Sequence, residues 1–193
     1  MEGVLTPEIW IAVAERTGIP ELRRTTRDEP DYDKLMRFRL RLLEEHGITL
    51  PRIQDVIGGL QLLPGALDFL NTLRAELQVI ILSDTFEQFA QPLLRQMGWP
   101  ALFCHRLVVE AERIVGYQLR QRDQKRESVR ALKALNYRVI AAGDSFNDTT
   151  MLAEADHGFL FHAPENVVRQ FPQFPEVKSY DALLAAIRAQ AQS

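Results

Sequence analysis

The chain has 193 residues, of which 46% are hydrophobic and 25% charged, and its formal net charge is −3 at pH 7. This length and hydrophobic content allow one sizeable core, so we expect one domain with an insertion rather than two independent domains. The small negative charge excludes an electrostatic footprint for nucleic acid or an anionic membrane, which bind through clustered Lys and Arg. The single cysteine, Cys104, excludes an internal disulfide framework and a cysteine-rich metal site, which suits a reducing cytosol.

The sequence shows no targeting or membrane signal. Its first segment, MEGVLTPEIW, has neither a basic leader nor an apolar run before a small-residue cleavage site. No segment approaches the ~20 apolar residues that a membrane span requires. We therefore expect a cytoplasmic protein with no nucleic-acid or membrane partner.

The first third of the chain predicts helices. They are expected over residues 7–18, 30–47 and 50–60, the second because Leu35 and Leu42 recur at helical spacing. After Pro64 the pattern changes to apolar strands alternating with helices. The predicted elements are helix 66–76, strand 78–82, helix 86–97, a short strand near Leu102, two strands within 107–119, helix 125–135, strand 138–142, helix 147–155, strand 158–161 and helix 180–189.

This alternation is typical of a doubly wound α/β fold, with a mostly parallel sheet covered by helices on both faces. The helical residues 7–62 are then predicted to be a cap inserted into a core of residues 1–6 and 63–193. In such sheets ligands bind at the carboxyl ends of the strands, so the residues that follow each apolar run are the candidates for chemistry.

Candidate polar residues stand at three places, two of them directly after a predicted strand and one at the start of a helix. Ser83 follows strand 78–82 and precedes N–H groups suited to a phosphate oxygen, although a simple helix N-cap is the alternative. Lys125 stands at the start of a helix, where the alternative is a solvated surface lysine. In the segment GDSFND, Asp144 and Asp148 follow a buried strand, and paired carboxylates suit Mg²⁺. An Asp N-cap is the alternative there.

The order of hydroxyl, lysine and acidic pair resembles the later motifs of the haloacid dehalogenase superfamily. The segments EGVLTPEIW, DYDKLM, ILSDTF, GYQLRQ, AAGDSFNDTTML and FHAPENV resemble its phosphoserine phosphatase branch, in particular the phosphoserine:homoserine phosphotransferase group. The similarity covers nearly the whole chain. It implies a Mg²⁺-dependent enzyme that acts on phosphoserine through an aspartyl phosphate and passes the phosphoryl group to water or to homoserine.

In that family the first strand ends in two acids separated by one residue. Glu2 matches the second acid, so the nucleophilic Asp is expected one position before Met1. Asp31 and Asp33 do not replace it, because they precede an amphipathic helix. The first central strand is then missing as well, and its neighbours are expected to face a gap with unpaired backbone groups. A misplaced start codon is one explanation; the other is a fragment or a degenerate homologue without this chemistry.

The resemblance also implies a role for each matching residue. Asp144 and the backbone carbonyl of Glu2 would hold Mg²⁺ together with the missing Asp, and the Glu2 side chain would protonate the leaving oxygen and then deprotonate the acceptor. Asp148 would support the carboxylates or the lysine. Lys125 would neutralise the developing charge on the phosphoryl group.

Substrate binding is assigned in the same way. Ser83 and the neighbouring Asp84 and Thr85 would bind the phosphoryl oxygens, and Asn147 would touch the substrate. In the cap, the resemblance implies that Glu8 meets the substrate ammonium and that Arg39 meets its carboxylate. The alternative for Arg39 is a solvated helix face, which it would share with Arg37, Arg41, Glu44 and Glu45.

Two rival functions stay open on the sequence alone. One is a related phosphatase for another small phosphoester, and the other is a catalytically inactive binding or structural protein. The resemblance also implies a possible homodimer. The four histidines have no metal-ligand spacing, so structural roles are expected for His46, His105, His157 and His162.

Overall fold

The computed structural model describes residues 1–26, 28–29 and 31–192. The segment predicted to be helical folds as α1 (Ile9–Thr17), α2 (Tyr32–Glu45) and α3 (Leu50–Gly58), with a 3₁₀ turn at Pro20–Arg23. Pro30, where the second predicted helix starts, lies outside the described residues. Asp31 caps α2, because its side chain accepts hydrogen bonds from the N–H groups of Asp33 and Lys34.

The later elements alternate between strands and helices, as predicted. In chain order they are α4 (Ala66–Glu76), β1 (Ile80–Phe86), α5 (Glu87–Gln96), β2 (Ala101–Glu110), β3 (Arg113–Gln118), α6 (Gln124–Ala134), β4 (Ile140–Gly143), α7 (Thr149–Glu154), β5 (His157–Phe161), α8 (Glu165–Gln170), β6 (Glu176–Val177) and α9 (Tyr180–Ala191). A 3₁₀ turn at Phe146–Asp148 precedes α7. Within the described residues, no helix is long and apolar enough to cross a membrane.

Two strand predictions were wrong in their bounds. The short strand near Leu102 and the first strand of the 107–119 pattern are one strand, β2, because its first part pairs with β1 and its second part with β3. Strand β1 continues past Leu82 to Phe86, so Ser83 lies inside the strand rather than after it. The pairing of β1 with β2 shifts register between Leu82 and Phe86, which leaves residues 83–85 out of the regular ladder.

The strands form two sheets of three. One has the order β1-β2-β3 and the other β4-β5-β6, with parallel pairing of β1 to β2 and of β4 to β5. In the described part of the chain no ladder joins β1 to β4. Each of these two strands therefore has one edge that no other described strand pairs.

Helices cover both sides of this gap. Phe69 of α4 and Leu183 of α9 belong to the main core together with Ile81 of β1. Val129 of α6 belongs to a second cluster with Ala141 of β4. The gap thus lies between apolar layers, and the elements that border it carry the candidate site residues at its end.

Candidate functional site

A cavity of about 1050 Å³ occupies the gap between β1 and β4 and opens toward the helical segment. One end of it is lined by the polar residues of the predicted site, and the rest mainly by apolar side chains. The candidate residues in its lining are Glu2, Glu8, Arg39, Ser83, Asp84, Thr85, Lys125, Asp144, Asn147 and Asp148. The fold therefore brings all the predicted site residues to one cavity.

Lys125 joins the two sheets at the polar end of the cavity. Its Nζ lies 2.8 Å from Oδ2 of Asp84, which follows Ser83 in β1, and 2.8 Å from Oδ1 of Asp148. The residue is only 8% exposed, so the alternative of a solvated surface lysine is wrong. Burial alone would lower the pKa of Lys125, but the two carboxylates outweigh it and raise the pKa above its ordinary value. This lysine is a permanent buried cation.

Asp148 is held by four donors. Besides Lys125, it accepts hydrogen bonds at its Oδ2 from the backbone N–H of Asp144 at 3.0 Å and from the N–H and Oγ of Ser145 at 3.1 and 3.0 Å. Burial alone would raise the pKa of Asp148, but Lys125 and these donors outweigh it and lower the pKa. Asp148 is therefore a buried, ionised carboxylate that fixes the turn carrying Asp144.

Asp144 lies against the first residues of the chain. A Cβ atom added to Gly3 would come under 3.0 Å from the carboxyl carbon and both carboxyl oxygens of Asp144. Gly3 also has a φ of +75°, which a side chain would strain. Burial, reinforced by the negative charge of Asp148, raises the pKa of Asp144 to about 6. Such a carboxylate lacks a full charge partner and is suited to a cation.

Glu2 stands between the core and α1. Its Oε2 accepts a hydrogen bond of 2.9 Å from the backbone N–H of Ile9, the first residue of that helix. A bridge between Glu2 and Thr6 uses the carbonyl oxygens of Met1 and Thr6, which leaves the Glu2 carbonyl out of the ladder. Burial raises the pKa of the Glu2 carboxyl, which favours a group that carries a proton.

The amino group of Met1 lies inside the same cluster. Burial and the nearby Lys125 lower its pKa, although Asp148, Glu2 and Asp144 act in the opposite sense. A chain terminus normally lies in water, where its charge is solvated. Here it lies at the polar end of the cavity, and the next residue, Glu2, forms an isolated β-bridge with Thr6.

The residues after Leu82 line the polar end of the cavity. Ser83 is 4% exposed, and its Oγ accepts a hydrogen bond from the N–H of Thr85 at 3.3 Å. Its carbonyl oxygen accepts a hydrogen bond from the Gln124 side chain, which anchors α6 beside β1. The N-cap of α5 is Phe86, so the alternative that Ser83 caps this helix is wrong.

Arg39 is the buried cation of the helical segment. Its guanidinium carbon lies 4.4 Å from the centroid of the Trp10 ring, and an Nη donates to the carbonyl oxygen of Arg24 at 2.7 Å. The residue is 6% exposed, so the solvated-face alternative is wrong for it. Burial lowers its pKa to about 10. Within the described residues its buried Nε has no hydrogen-bond partner, which leaves a donor for a ligand.

The remaining candidates lie where the helical segment meets the sheets. Glu8 is the N-cap residue of α1 and lines the cavity near Arg39. The Nδ2 of Asn147 lies 3.3 Å from the Oγ1 of Thr26. Glu8 and Asn147 thus line the part of the cavity that faces the helical segment.

Two residues that support Asp84 were not among the predicted site residues. The hydroxyl of Tyr32 donates to the Asp84 carbonyl oxygen at 3.3 Å, and the Nε2 of His105 lies 3.7 Å from its carboxylate. Burial, although opposed by Asp84, lowers the pKa of His105. The sequence predicts a structural role for His105. Its place on β2, the strand that pairs with β1, was the signal that could have indicated a contact with Asp84. Tyr32 gave none, because its partner is 52 residues away.

The described residues contain no group of three or more His, Cys, Asp or Glu that could hold a metal ion. This excludes a transition-metal cage built from side chains in this part of the chain. It is compatible with Mg²⁺, which takes one or two carboxylates and completes its shell with water and substrate oxygens. Asp144 is the carboxylate that fits, because Asp148 is already engaged with Lys125.

Comparison with known proteins gives consistent matches. Residues 11–156 match the family of haloacid dehalogenase-like hydrolases. A phosphoserine phosphatase of Pseudomonas syringae pv. tomato is 64% identical over 184 residues, covering 95% of this chain and 78% of that protein. The phosphoserine phosphatase ThrH of Pseudomonas aeruginosa is 63% identical over 184 residues, covering 95% of this chain and 90% of that protein.

Solved structures agree on the fold. The crystal structure of a phosphoserine phosphatase from T. onnurineus, in complex with NDSB-201, matches with a TM-score of 0.73 and 25% identity, over 96% of this chain and 90% of that one. A substrate-bound phosphoserine phosphatase complex matches with a TM-score of 0.73 over 91% and 88% of the two chains. At 18% identity the second match concerns the fold alone.

Proposed function

The chain belongs to the haloacid dehalogenase-like hydrolases, and from this premise we propose that it is a phosphoserine phosphatase that works through an aspartyl phosphate. The observation that carries the proposal is the Lys125 bridge between Asp84 and Asp148, with Asp144 beside it at the end of the cavity. The two Pseudomonas relatives, both named phosphoserine phosphatase, supply the substrate class.

The phosphoryl group is bound, in this proposal, between Ser83 and Lys125. The Ser83 hydroxyl and the N–H groups of Asp84 and Thr85 donate to the phosphoryl oxygens, and the Lys125 cation attracts their charge. Asp84 and Asp148 hold Lys125 in place at 2.8 Å each, so its ammonium does not have to reorganise when charge develops. Asp148 thus acts as a positioning residue.

The nucleophile is a carboxylate beside Asp144, and in the described residues no side chain fills this role. We assign it to an Asp bonded to the Met1 nitrogen, which is buried among Lys125, Asp148, Glu2 and Asp144. One oxygen of this Asp forms a bond to phosphorus while the bond between phosphorus and the serine oxygen breaks. The serine oxygen takes a proton from Glu2 as it leaves. Glu2 then accepts a proton from the attacking water, whose oxygen displaces the Asp carboxylate and releases phosphate.

Mg²⁺ is the expected cofactor. Asp144, the Glu2 carbonyl oxygen and the nucleophilic Asp would hold it, and Asp144 fits because it is a buried carboxylate without a full charge partner. When bound, Mg²⁺ offsets the repulsion between the anionic nucleophile and the phosphate. Removal of Mg²⁺ with a chelator should stop phosphate release, and added Mg²⁺ should restore it.

Selectivity for an amino acid is assigned to the helical segment. The buried Arg39, with a free donor at Nε, suits the substrate carboxylate, and Glu8 suits its ammonium. Homoserine carries the same two groups, so it could replace water as the acceptor of the phosphoryl group. Product analysis with phosphoserine and homoserine together tests this second activity, because the absence of phosphohomoserine would leave only the hydrolase.

The experiment that tests the main proposal compares two lengthened chains. The segment VIVVVL followed by Asp is placed before Met1 in one protein, and the same segment followed by Asn in the other. With Mg²⁺ and phosphoserine, the Asp protein should release phosphate at least about 1000-fold faster than the Asn protein, because the nucleophile is missing from the second. Equal rates in the two folded proteins would contradict the proposed mechanism.

A further inference from the structure

His105 is a buried polar side chain that the proposed mechanism does not use. It lies on β2, where it is the register partner of Phe86 at the end of β1, and it is 5% exposed. Cys104 and His105 are both buried, although successive side chains of a strand normally face opposite sides of a sheet. A buried imidazole is costly unless its ring nitrogens have partners. The contacts of the two nitrogens therefore indicate what this side chain does.

The two ring nitrogens of His105 have different partners. Nδ1 accepts a hydrogen bond from the backbone N–H of Arg120 at 3.2 Å, so this nitrogen carries no proton. The proton of the neutral ring is then on Nε2, which lies 3.7 Å from Oδ1 of Asp84. Burial lowers the pKa of His105, and the charges of Lys125 and Arg120 act in the same sense. Asp84 opposes them without outweighing them, so the ring is uncharged near neutral pH and directs an N–H dipole at the carboxylate.

Asp84 has a partner at each of its three oxygen atoms. Oδ1 faces His105, Oδ2 lies 2.8 Å from the Nζ of Lys125, and the carbonyl oxygen accepts a hydrogen bond of 3.3 Å from the Tyr32 hydroxyl. The side chain of Asp84 is 36% exposed, so without a donor at Oδ1 its carboxylate would be free to rotate toward water. The ring centroids of Tyr32 and Phe86 each lie 6.4 Å from that of His105. These rings restrict the imidazole, which in turn restricts the carboxylate.

We propose that His105 is a positioning residue that acts through Asp84 on Lys125. Its effect on the rate rests on the proposed function, in which the Lys125 ammonium offsets charge on the phosphoryl oxygens. A charged group stabilises a transition state most when it is already in place, because no reorganisation is then needed. An uncharged N–H suits this task, since an imidazolium would compete with Lys125 for Asp84. His105 does not itself line the cavity, so it contributes to the rate without touching the substrate.

The test uses a matched pair of substitutions. Gln and Met have unbranched side chains of the same length, and only Gln can donate an N–H to Asp84. His105→Gln should therefore keep the positioning effect, and His105→Met should lose it. The control is Cys104→Ala, which shortens a buried side chain on the same strand. His105→Leu is the second apolar variant, for use where His105→Met does not fold.

The first measurement is made on the printed chain and needs no activity. NMR of isotopically labelled histidine should show a protonated Nε2 and an unprotonated Nδ1 for His105, whose signal is the one missing from His105→Gln. An unprotonated Nε2 would overturn the proposal. Hydrogen exchange of the Lys125 ammonium, followed with labelled lysine, should be at least about threefold faster in His105→Met than in His105→Gln. Equal exchange in these two variants would also overturn it.

The second measurement is kinetic and uses the Asp-extended chain with Mg²⁺ and phosphoserine. His105→Met should lower kcat by about fivefold or more with little change in KM, because the charge that Lys125 offsets develops in the transition state. His105→Gln and Cys104→Ala should both keep kcat within about twofold of the parent. Equal kcat values for the Met and Gln variants, or a loss in KM alone, would contradict the positioning role.

The two measurements separate this proposal from the proposed function. A folded parent that releases no phosphate contradicts the proposed function, and exchange of the Lys125 ammonium then decides the role of His105 alone. An active parent whose Met and Gln variants are equally active supports the proposed function and removes that role. Faster exchange together with a lower kcat in His105→Met supports both.

Discussion

Lys125 is the residue whose removal should disturb the site most. A Lys125→Met variant keeps the length of the side chain but leaves Asp148 buried without its cation. Removing one partner of a buried ion pair costs about 3–5 kcal/mol in the free energy of unfolding, which urea denaturation measures. The matched control is Lys133→Met on the same helix, whose pair with Asp156 is partly exposed and should cost no more than about 1 kcal/mol. Similar losses in the two variants would contradict a buried bridge.

Asp148 should give a stability that depends on pH. Its pKa in the folded chain lies below the ordinary value of 3.8, so its contribution is complete above 3.8 and is lost as the pH falls through the folded value. The difference in unfolding free energy between the protein and its Asp148→Asn variant should therefore be constant near neutral pH and shrink below about pH 4. The exposed Asp68→Asn serves as the control. A difference for Asp148→Asn that stays constant down to pH 3 would contradict the lowered pKa.

Local patterns in the sequence identified the candidate residues, but not their burial or their partners. Ser83, Lys125 and Asp144 were identified because a serine after an apolar run, a lysine at a helix start and acids after a glycine turn are local patterns. The burial of Lys125 was not, since it depends on Asp148, 23 residues later, and Asp84, on another strand. His105 was missed for the same reason: its partner comes from the neighbouring strand.

At the scale of elements, α2 carries the prediction on substrate selectivity. In the Asp-extended chain, Arg39→Lys should lower kcat/KM for phosphoserine by about tenfold or more, because a lysine cannot replace a bidentate guanidinium. The rate with phosphoethanolamine, which lacks the carboxylate, should change little. The control is Arg37→Lys on the exposed side of α2, where the side chain is 76% exposed. Equal losses on both substrates would show that Arg39 does not recognise the carboxylate.

Element bounds followed the strength of the local pattern. The bounds of α4 were predicted correctly because its apolar spacing and the preceding Pro64-Gly65 are unambiguous. β2 was divided in two because His105 and Arg106 interrupt its apolar run, although pairing with β1 and β3 carries the strand through them. α8 and β6 were missed because six and two residues are too short to show a period.

At the scale of the whole molecule, the unpaired edges should make the printed chain behave as an incomplete sheet. A cavity of about 1050 Å³ between apolar layers should bind the dye ANS and promote association, as exposed strand edges do. The Asn-extended chain, which fills the gap between β1 and β4 without restoring the nucleophile, should bind less dye and melt at a higher temperature. An extension with Pro in its centre is the control. Equal dye binding by all three proteins would contradict an open gap between β1 and β4.

The most direct test of the account is the amino-terminal peptide of the enzyme as its native source makes it. Phosphoserine phosphatase activity is followed through purification, and the intact mass is compared with 22.1 kDa for the printed chain. We expect a larger mass and a peptide in which an apolar run and an Asp precede Met1 and Glu2. A fully active protein that begins at Met1 would contradict the proposed mechanism, because the proposed nucleophile would then be absent while Asp144 and Lys125 still served catalysis.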